Sequence, residues 1–416
     1  MPFVLPRREP KVHQREGVAP KRPLPGANST VNFLLLAAVL ALLATGVVTL
    51  YAVTRTSTEY SLWRQIAGIG IGVVAMAAFW VFDYRRFSEW FVPLFVLDIA
   101  LILLPMVPGL GVEVNGATSW IRVGPLSFQP SEIAKPVTIV AIAAFAARFE
   151  GQIDSGTAYL KLLGALLVPV ALLVREDFGS ALVIFIVGFV IICVAGAAKR
   201  WILITVIALA VAAAGALCMN GWISDWTGGK VQLIKSYQMS RLLVFIDQDN
   251  PDYADDAYNL NQAKIAVGSG EVTGKGFGNA TQSSGGFLPE SATDFIFCVY
   301  AEQFGFLGSV ILLGLYFALL GAALSVGLAA GDLFGTLITA GVMAMWLFQI
   351  MENIGMDLGL MPITGIPLPF MSYGSSFMIT NFICVGLLCS VWGRRMDVGG
   401  NAKTRKAGLS NAQDAH

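Results

Sequence analysis

Apolar residues gather into ten runs, near residues 31–54, 65–83, 90–107, 131–148, 158–175, 179–197, 200–219, 304–328, 333–353 and 374–392. Each run is close to the roughly 20 residues an α-helix needs to cross a bilayer. The pattern predicts an all-α polytopic membrane protein of about ten transmembrane helices, with a large extracytoplasmic loop, 220–293, between spans seven and eight. The plan is then a disordered tail over 1–30, a membrane domain over 31–392 and a second tail over 393–416. An even number of spans puts both tails on one side. Arg85, Arg86, Arg148, Lys199, Arg200 and the basic stretch 394–406 fall on that side, against Arg55 and Arg64 on the other, which makes it cytoplasmic.

Composition agrees with the pattern. The chain is 56% hydrophobic and 13% charged, against roughly 25% charged residues in soluble domains. The formal net charge is zero, so a nucleic-acid role is not expected. Cys193, Cys218, Cys298, Cys384 and Cys389 lie in or beside apolar runs without a C-x-x-C pair and read as packing residues. The only histidines, His13 and His416, are in the tails, which excludes a His-dependent triad or a His-ligated metal from the membrane body.

Chemistry concentrates where polar residues meet these runs. Residues 287–308 read FLPESATDFIFCVYAEQFGFLG, with Asp294 at the polar–apolar boundary and Glu302 about two helical turns later. A carboxylate at such a boundary is costly unless paired or used. Ser291 and Asp294 also fit a helix capping box, a purely structural role. An unbroken helix over 292–328 would be roughly 55 Å long, against a hydrocarbon core of about 30 Å. It is therefore expected to project outside or to break near Gly305 and Gly308.

Other polar stretches lie on the same outer side. Trp120 and Arg122 lead into FQPSEIAK, where Ser131 is a ready N-cap and Glu132 and Lys135 share a helix face at i, i+3. That pair is either self-neutralising or substrate-binding. Asp98, in the middle of the third run, is expected to hydrogen-bond a neighbouring helix, and the corner at 175–177 to be a solvated turn. Prolines and glycines over 355–369 forbid a regular helix, yet the segment is apolar, so it reads as a loop buried in protein or lining a cavity. In the long loop, 231–246 is amphipathic, an acidic cluster spans Asp247, Asp249, Asp252, Asp255 and Asp256, and Gly268, Gly270, Gly274, Gly276 and Gly278 mark tight turns.

Taken together, FLPESATDFIF, AEQFG, FQPSEIAK and NIGM…PITGIPLPFMSYG resemble the SEDS family of bacterial cell-wall polymerases, from the first span to the tenth. KIAVGSG and GIPLP are more similar to its elongation branch than to its division branch. The resemblance implies a peptidoglycan glycosyltransferase that polymerises lipid II, with inversion, at the outer face of the cytoplasmic membrane. It puts the proposed catalytic aspartate, in T-D-F-I-F, on Asp294, and the motif glutamate and lysine on Glu132 and Lys135. It also implies a divalent cation (magnesium or manganese, ligands unknown), a class B penicillin-binding transpeptidase as partner, and other elongation-complex proteins. Arg122, Trp120, Glu302, Asn353, Ser372 and Tyr373 complete the candidate substrate-binding set. Ser119, Arg175-Glu176 and Ser375 depart from the family pattern. The alternatives are a lipid II flippase, disfavoured because the unusual residues cluster on one face, and a non-catalytic scaffold for a transpeptidase.

Overall fold

The computed structural model describes residues 30–55, 59–114, 117–123, 126–226, 236–246 and 254–395. The expected tails, apart from a few residues at their inner ends, lie outside these residues, as do Asp247, Asp249, Asp252 and positions 231–235. In chain order, α1 (Phe33–Thr54), α2 (Leu62–Val81) and α3 (Phe91–Leu103) come first, with a 3-10 turn, Tyr84–Glu89, between α2 and α3. Then come β1 (Gly111–Val114), β2 (Ala117–Val123) and β3 (Leu126–Phe128), followed by α4 (Pro130–Ala147), α5 (Gly156–Leu173), α6 (Phe178–Val194) and α7 (Lys199–Trp226). The long loop holds α8 (Ser236–Ile246), α9 (Ala254–Ser269) and the single turn α10 (Thr281–Ser284). The chain returns through α11 (Ile296–Ala329), α12 (Leu333–Asp357) and α13 (Ser375–Arg394). Eight of these helices are long and apolar enough to cross a membrane, and α3 and α6 are shorter apolar helices. Together they match the ten runs, and the fold is that of a multi-pass membrane protein.

Among the described residues, the all-helical expectation gives way at β1, β2 and β3, which form a three-stranded antiparallel sheet in the order β1-β2-β3. Its strands are short, and the segment 117–123, ATSWIRV, is rich in residues that favour pleated backbone.

Of the two outcomes the length argument allowed, α11 takes the break, at Gly305. Gly305 has φ 67° and ψ −162°, a conformation essentially confined to glycine. The break frees backbone groups that membrane interiors cannot leave unpaired. The glycine-rich loop satisfies them: Phe306 N–H donates to Glu271 O (2.8 Å) and Leu307 N–H to Val272 O (3.0 Å). In return Lys275 N–H and Gly276 N–H donate to the carbonyls of Glu302 (2.9 Å) and Gln303 (3.0 Å). The predicted tight turns therefore serve to seat the loop against the broken helix.

The core sits among α4, α6, α12 and α13, with α2 packed along α13. Asp98 of α3 meets the Thr138 hydroxyl of α4 at 2.9 Å, the interhelical bond the sequence suggested. α7 packs chiefly through its first turns, where Trp201 stacks on Tyr159 of α5 and Thr205 bonds the Tyr159 hydroxyl at 2.6 Å.

Candidate active site around Asp294

Asp294 is not in a helix. Residues 289–295 form turns, α11 begins at Ile296, and its cap residue is Phe295, which makes no side-chain cap bond. The capping-box expectation for Ser291 and Asp294 is thus corrected. The chain stays in tight turns through this stretch because Asp294 N–H and Phe295 N–H both donate to Glu290 O (3.1 and 3.2 Å). Asp294 is left half-buried, its carboxylate free of helix-capping duty.

The main chain of this turn is held by candidates from α12 and the irregular loop that follows it. Asn353 of α12 donates its side-chain N–H to Asp294 O (2.6 Å) and to Ile366 O (2.9 Å). The Ser372 hydroxyl donates to Thr293 O (2.6 Å) and accepts from Leu368 N–H (2.8 Å). Tyr373 N–H donates to Ala292 O (2.8 Å), and its ring meets Tyr60 edge-on at 5.4 Å. Residues 358–374 thus form an irregular strap packed on the Asp294 turn, with Ile366, Leu368, Phe370 and Met371 buried. Gly365 (φ 72°) lies so close that a β-carbon there would stand 2.8 Å from Asp294 Oδ2. Glycine lets the strap cross directly over the carboxylate.

Burial pushes the Asp294 carboxyl up to about 7, reinforced by the charge of Glu290. Arg241 of α8 and the Thr293 hydroxyl pull the other way. Glu290 also accepts from Thr293 Oγ1 (3.0 Å) and from the Tyr60 hydroxyl (3.4 Å).

Glu132 and Lys135 form a direct pair on α4, Nζ to Oε1 at 2.6 Å, with both side chains buried. Glu132 Oε2 has no hydrogen-bond partner among the described residues. The pair therefore neutralises itself and still presents a spare acceptor. Ser131 is not the N-cap of α4: Gln129 occupies that position, and the Ser131 hydroxyl donates to Asp177 Oδ2 (3.0 Å). The corner at 175–177 is likewise more than a solvated turn. Asp177 accepts from Gln129 Nε2 (2.9 Å) and caps α6 through Ser180 N–H (2.9 Å). The strap passes close to Gly179 beside it, where a β-carbon would stand 3.2 Å from Thr364 O and from Ile366. One strap thus contacts both the Asp294 turn and the corner that holds the head of α4.

The remaining candidates lie apart in role. Glu302 is fully buried and saturated by the loop, accepting from Lys275 Nζ (2.6 Å), Thr281 N–H and hydroxyl (both 2.8 Å) and Gln282 N–H (3.2 Å). It anchors the loop beside the break in α11. Arg122 is exposed and Trp120 half-buried on β2, the middle strand of the sheet.

Glu352 and Asp357 were not anticipated. Both are buried in the last turns of α12, and both feel the Asp294 charge. Neither carboxylate has a hydrogen-bond partner of ordinary geometry among the described residues. The signal was present: Glu352 is an acid inside an apolar run, where the default reading is functional. Gln65 of α2 was missed as well. It is buried, donates to Ser372 O (3.3 Å) and accepts from Gly374 N–H (3.0 Å), fixing the strap from the other side.

A divalent cation fits this neighbourhood in a limited way. Among the described residues no group of three or more His, Cys, Asp or Glu side chains forms a cage. Magnesium, however, commonly takes one or two carboxylates plus substrate phosphates. The unpartnered oxygens of Glu352, close enough to feel Asp294, supply that donor type.

Comparison with known proteins agrees with this architecture. Peptidoglycan glycosyltransferase RodA of Treponema pallidum is 32% identical over 431 residues, covering 88% of this chain and 99% of that protein. Stage V sporulation protein E of Bacillus subtilis is 32% identical over 371 residues, covering 86% and 96%. The crystal structure of Thermus thermophilus rod shape determining protein RodA superimposes with a TM-score of 0.63 at 29% identity, covering 87% of this chain and 96% of that one. A chain from a peptidoglycan synthase complex, described for its coordination of polymerization and crosslinking, gives 0.70 at 30% identity, covering 87% and 97%. Residues 28–396 match the cell cycle protein family of FtsW, RodA and SpoVE, and this chain belongs to that family.

Proposed function

We propose that the protein is a peptidoglycan glycosyltransferase that polymerises lipid II at the outer face of the bacterial cytoplasmic membrane, with both termini cytoplasmic and Asp294 as general base. The observation that carries the assignment of the base is the carboxyl of Asp294. It is held in place by its own main chain, enclosed by the strap, and has a proton affinity raised to about 7. A base serves best when its pKa lies near the working pH.

In the reaction, the 4-hydroxyl of one sugar attacks the anomeric carbon of another that bears lipid pyrophosphate. The new carbon–oxygen bond forms as the bond to pyrophosphate breaks, the hydroxyl proton passes to Asp294, and the configuration inverts. The departing pyrophosphate needs positive charge. Arg241, whose charge acts on Asp294, and Arg122 on the exposed sheet are the cations suited to it. Lys135 is committed to Glu132, so its part in binding requires the pair to open or Glu132 Oε2 to accept from substrate. Asn353, Ser372 and Tyr373 support the site by fixing the Asp294 turn. A magnesium or manganese ion, held by Glu352 with substrate phosphates, would add charge stabilisation for the leaving group.

The motif similarity favours the elongation branch. A class B penicillin-binding transpeptidase is the partner in this reading, together with other proteins of the elongation complex. The test is incubation of purified protein with lipid II, with and without that partner, followed by gel analysis of glycan chains. Chains made by wild type and lost in Asp294→Asn are expected; wild-type synthesis by Asp294→Asn protein sinks the assignment of the base.

A further inference from the structure

At its other end the molecule carries a charged constellation that the reaction does not use. α2 ends at Val81 with carbonyls to satisfy, and Arg394 of α13 takes them, donating to Trp80 O (3.2 Å) and Val81 O (2.7 Å). Asp83 Oδ1 stands 3.4 Å from Arg394 Nε and also accepts from Arg85 N–H (3.0 Å), so this carboxylate is committed. Arg85 is committed too, donating to Arg394 O (2.6 Å) and standing 3.7 Å from Asp332. Arg86 differs from its neighbours. It is exposed, its guanidinium lies 5.8 Å from the Phe82 ring centroid, and it has no carboxylate partner among the described residues.

Beside Arg86 is a cavity of about 630 Å³, with Ala77, Ala78, Val81 and Phe82 on its apolar side and the Asp83–Arg394 pair at its polar rim. The apolar wall continues along the uncovered face of α2, where Val74 is 70% and Val81 80% exposed. Trp90, also exposed, sits just beyond the turn, and tryptophans favour the headgroup level of a bilayer. An unpaired arginine at headgroup depth, above an apolar groove facing lipid, complements an anion carried on acyl chains. A free anion would use the arginine and leave the apolar wall bare.

We propose that this groove binds one anionic phospholipid, with its phosphate on Arg86 and an acyl chain along Ala77, Ala78 and Val81. The site ties lipid to the cytoplasmic ends of α2 and α13, the helices that carry the Gln65 and Gly374 contacts of the strap at their opposite ends.

The test uses full-length protein, delipidated in detergent, titrated with phosphatidylglycerol and read by native mass spectrometry. Wild type should hold one lipid more tightly than the rest, and should hold phosphatidylcholine more weakly. Arg86→Gln should weaken retention about fivefold, the usual worth of one basic residue near an anionic headgroup. Ala78→Phe fills the groove while keeping the charge, and should lower retention as well. Arg148→Gln is the control, because Arg148 also stacks on a ring, that of Phe91, without lining this cavity; it should bind as wild type does. Inorganic phosphate alone should not displace the lipid. Equal retention by wild type and Ala78→Phe overturns the proposal, and does so even where Arg86→Gln fails to fold. An equal loss in Arg148→Gln and Arg86→Gln overturns it as well, since it would mean general surface charge. Displacement by inorganic phosphate would make the ligand a free anion and overturn it too.

Discussion

α4 and α7 are both membrane helices, and they are built in opposite ways. α7 has a mean hydropathy of 2.6 over its most apolar stretch, yet only 6% of that stretch is buried inside the protein. α4 has a mean hydropathy of 1.3, carries Glu132, Lys135 and Thr138, and is 78% buried. Lipid tails are as apolar as leucine, so a uniformly apolar helix gains nothing special by packing inward. A helix with charges must hide them among partners. In this protein polarity therefore marks the interior, and the candidate chemistry lies along the polar interior face.

The contrast can be broken most severely at the buried pair. Lys135→Met alone leaves Glu132 uncompensated and should destabilise the protein by about 3–5 kcal/mol, whereas Glu132→Gln with Lys135→Met should be much milder. Thermal unfolding of the purified single and double variants checks this; equal stability of the two would show that the pair is not coupled.

Asp294→Asn acts on chemistry with little change in shape. Polymerisation should fall by about two orders of magnitude or more while folding is retained, measured as glycan chains from lipid II. Gly305→Ala tests the break in α11. A β-carbon there would lie 2.3 Å from Gly274 N, and the strained backbone alone costs about 1–3 kcal/mol, so unfolding temperature should drop.

The pH response separates base from scaffold. Asp294 loses its proton near pH 7 in the folded protein and near pH 4 in the unfolded chain. Activity should therefore rise about tenfold per pH unit below about 7 and level off above it. Stability runs the other way: between those two values the folded state holds a proton that the unfolded state has released, so this group's contribution declines as pH rises through the window. A flat rate profile from pH 5 to 8 would remove Asp294 as the base.

The smallest effect belongs to α7. Ile207→Val, on its exposed surface, should change unfolding by no more than about 0.5 kcal/mol. A larger loss would mean that this face is covered in the working protein and would erase the contrast with α4.

The amino-acid sequence by itself determined the ten helices, because a span of about 20 apolar residues has few other fates and each helix satisfies its own backbone. It also marked Asp294, the Glu132–Lys135 pair and the irregular 355–369 stretch, because acids and helix breakers in apolar surroundings stand out locally. Length left two outcomes for the helix after Asp294, a projection outside or a break near Gly305 and Gly308. Tertiary structure decided the rest. Whether Ser291 and Asp294 cap a helix depended on the turn closed by the carbonyl of Glu290 and on the strap that crosses Asp294 at Gly365, a contact between segments some seventy residues apart. Asp177 could be read as a solvated corner until α4 was folded against it. Glu302 resembled a ligand-binding acid until the loop filled it with donors. A side chain's type is local, but its partners are chosen by packing, and for a buried carboxylate the partners decide whether it anchors, pairs or reacts.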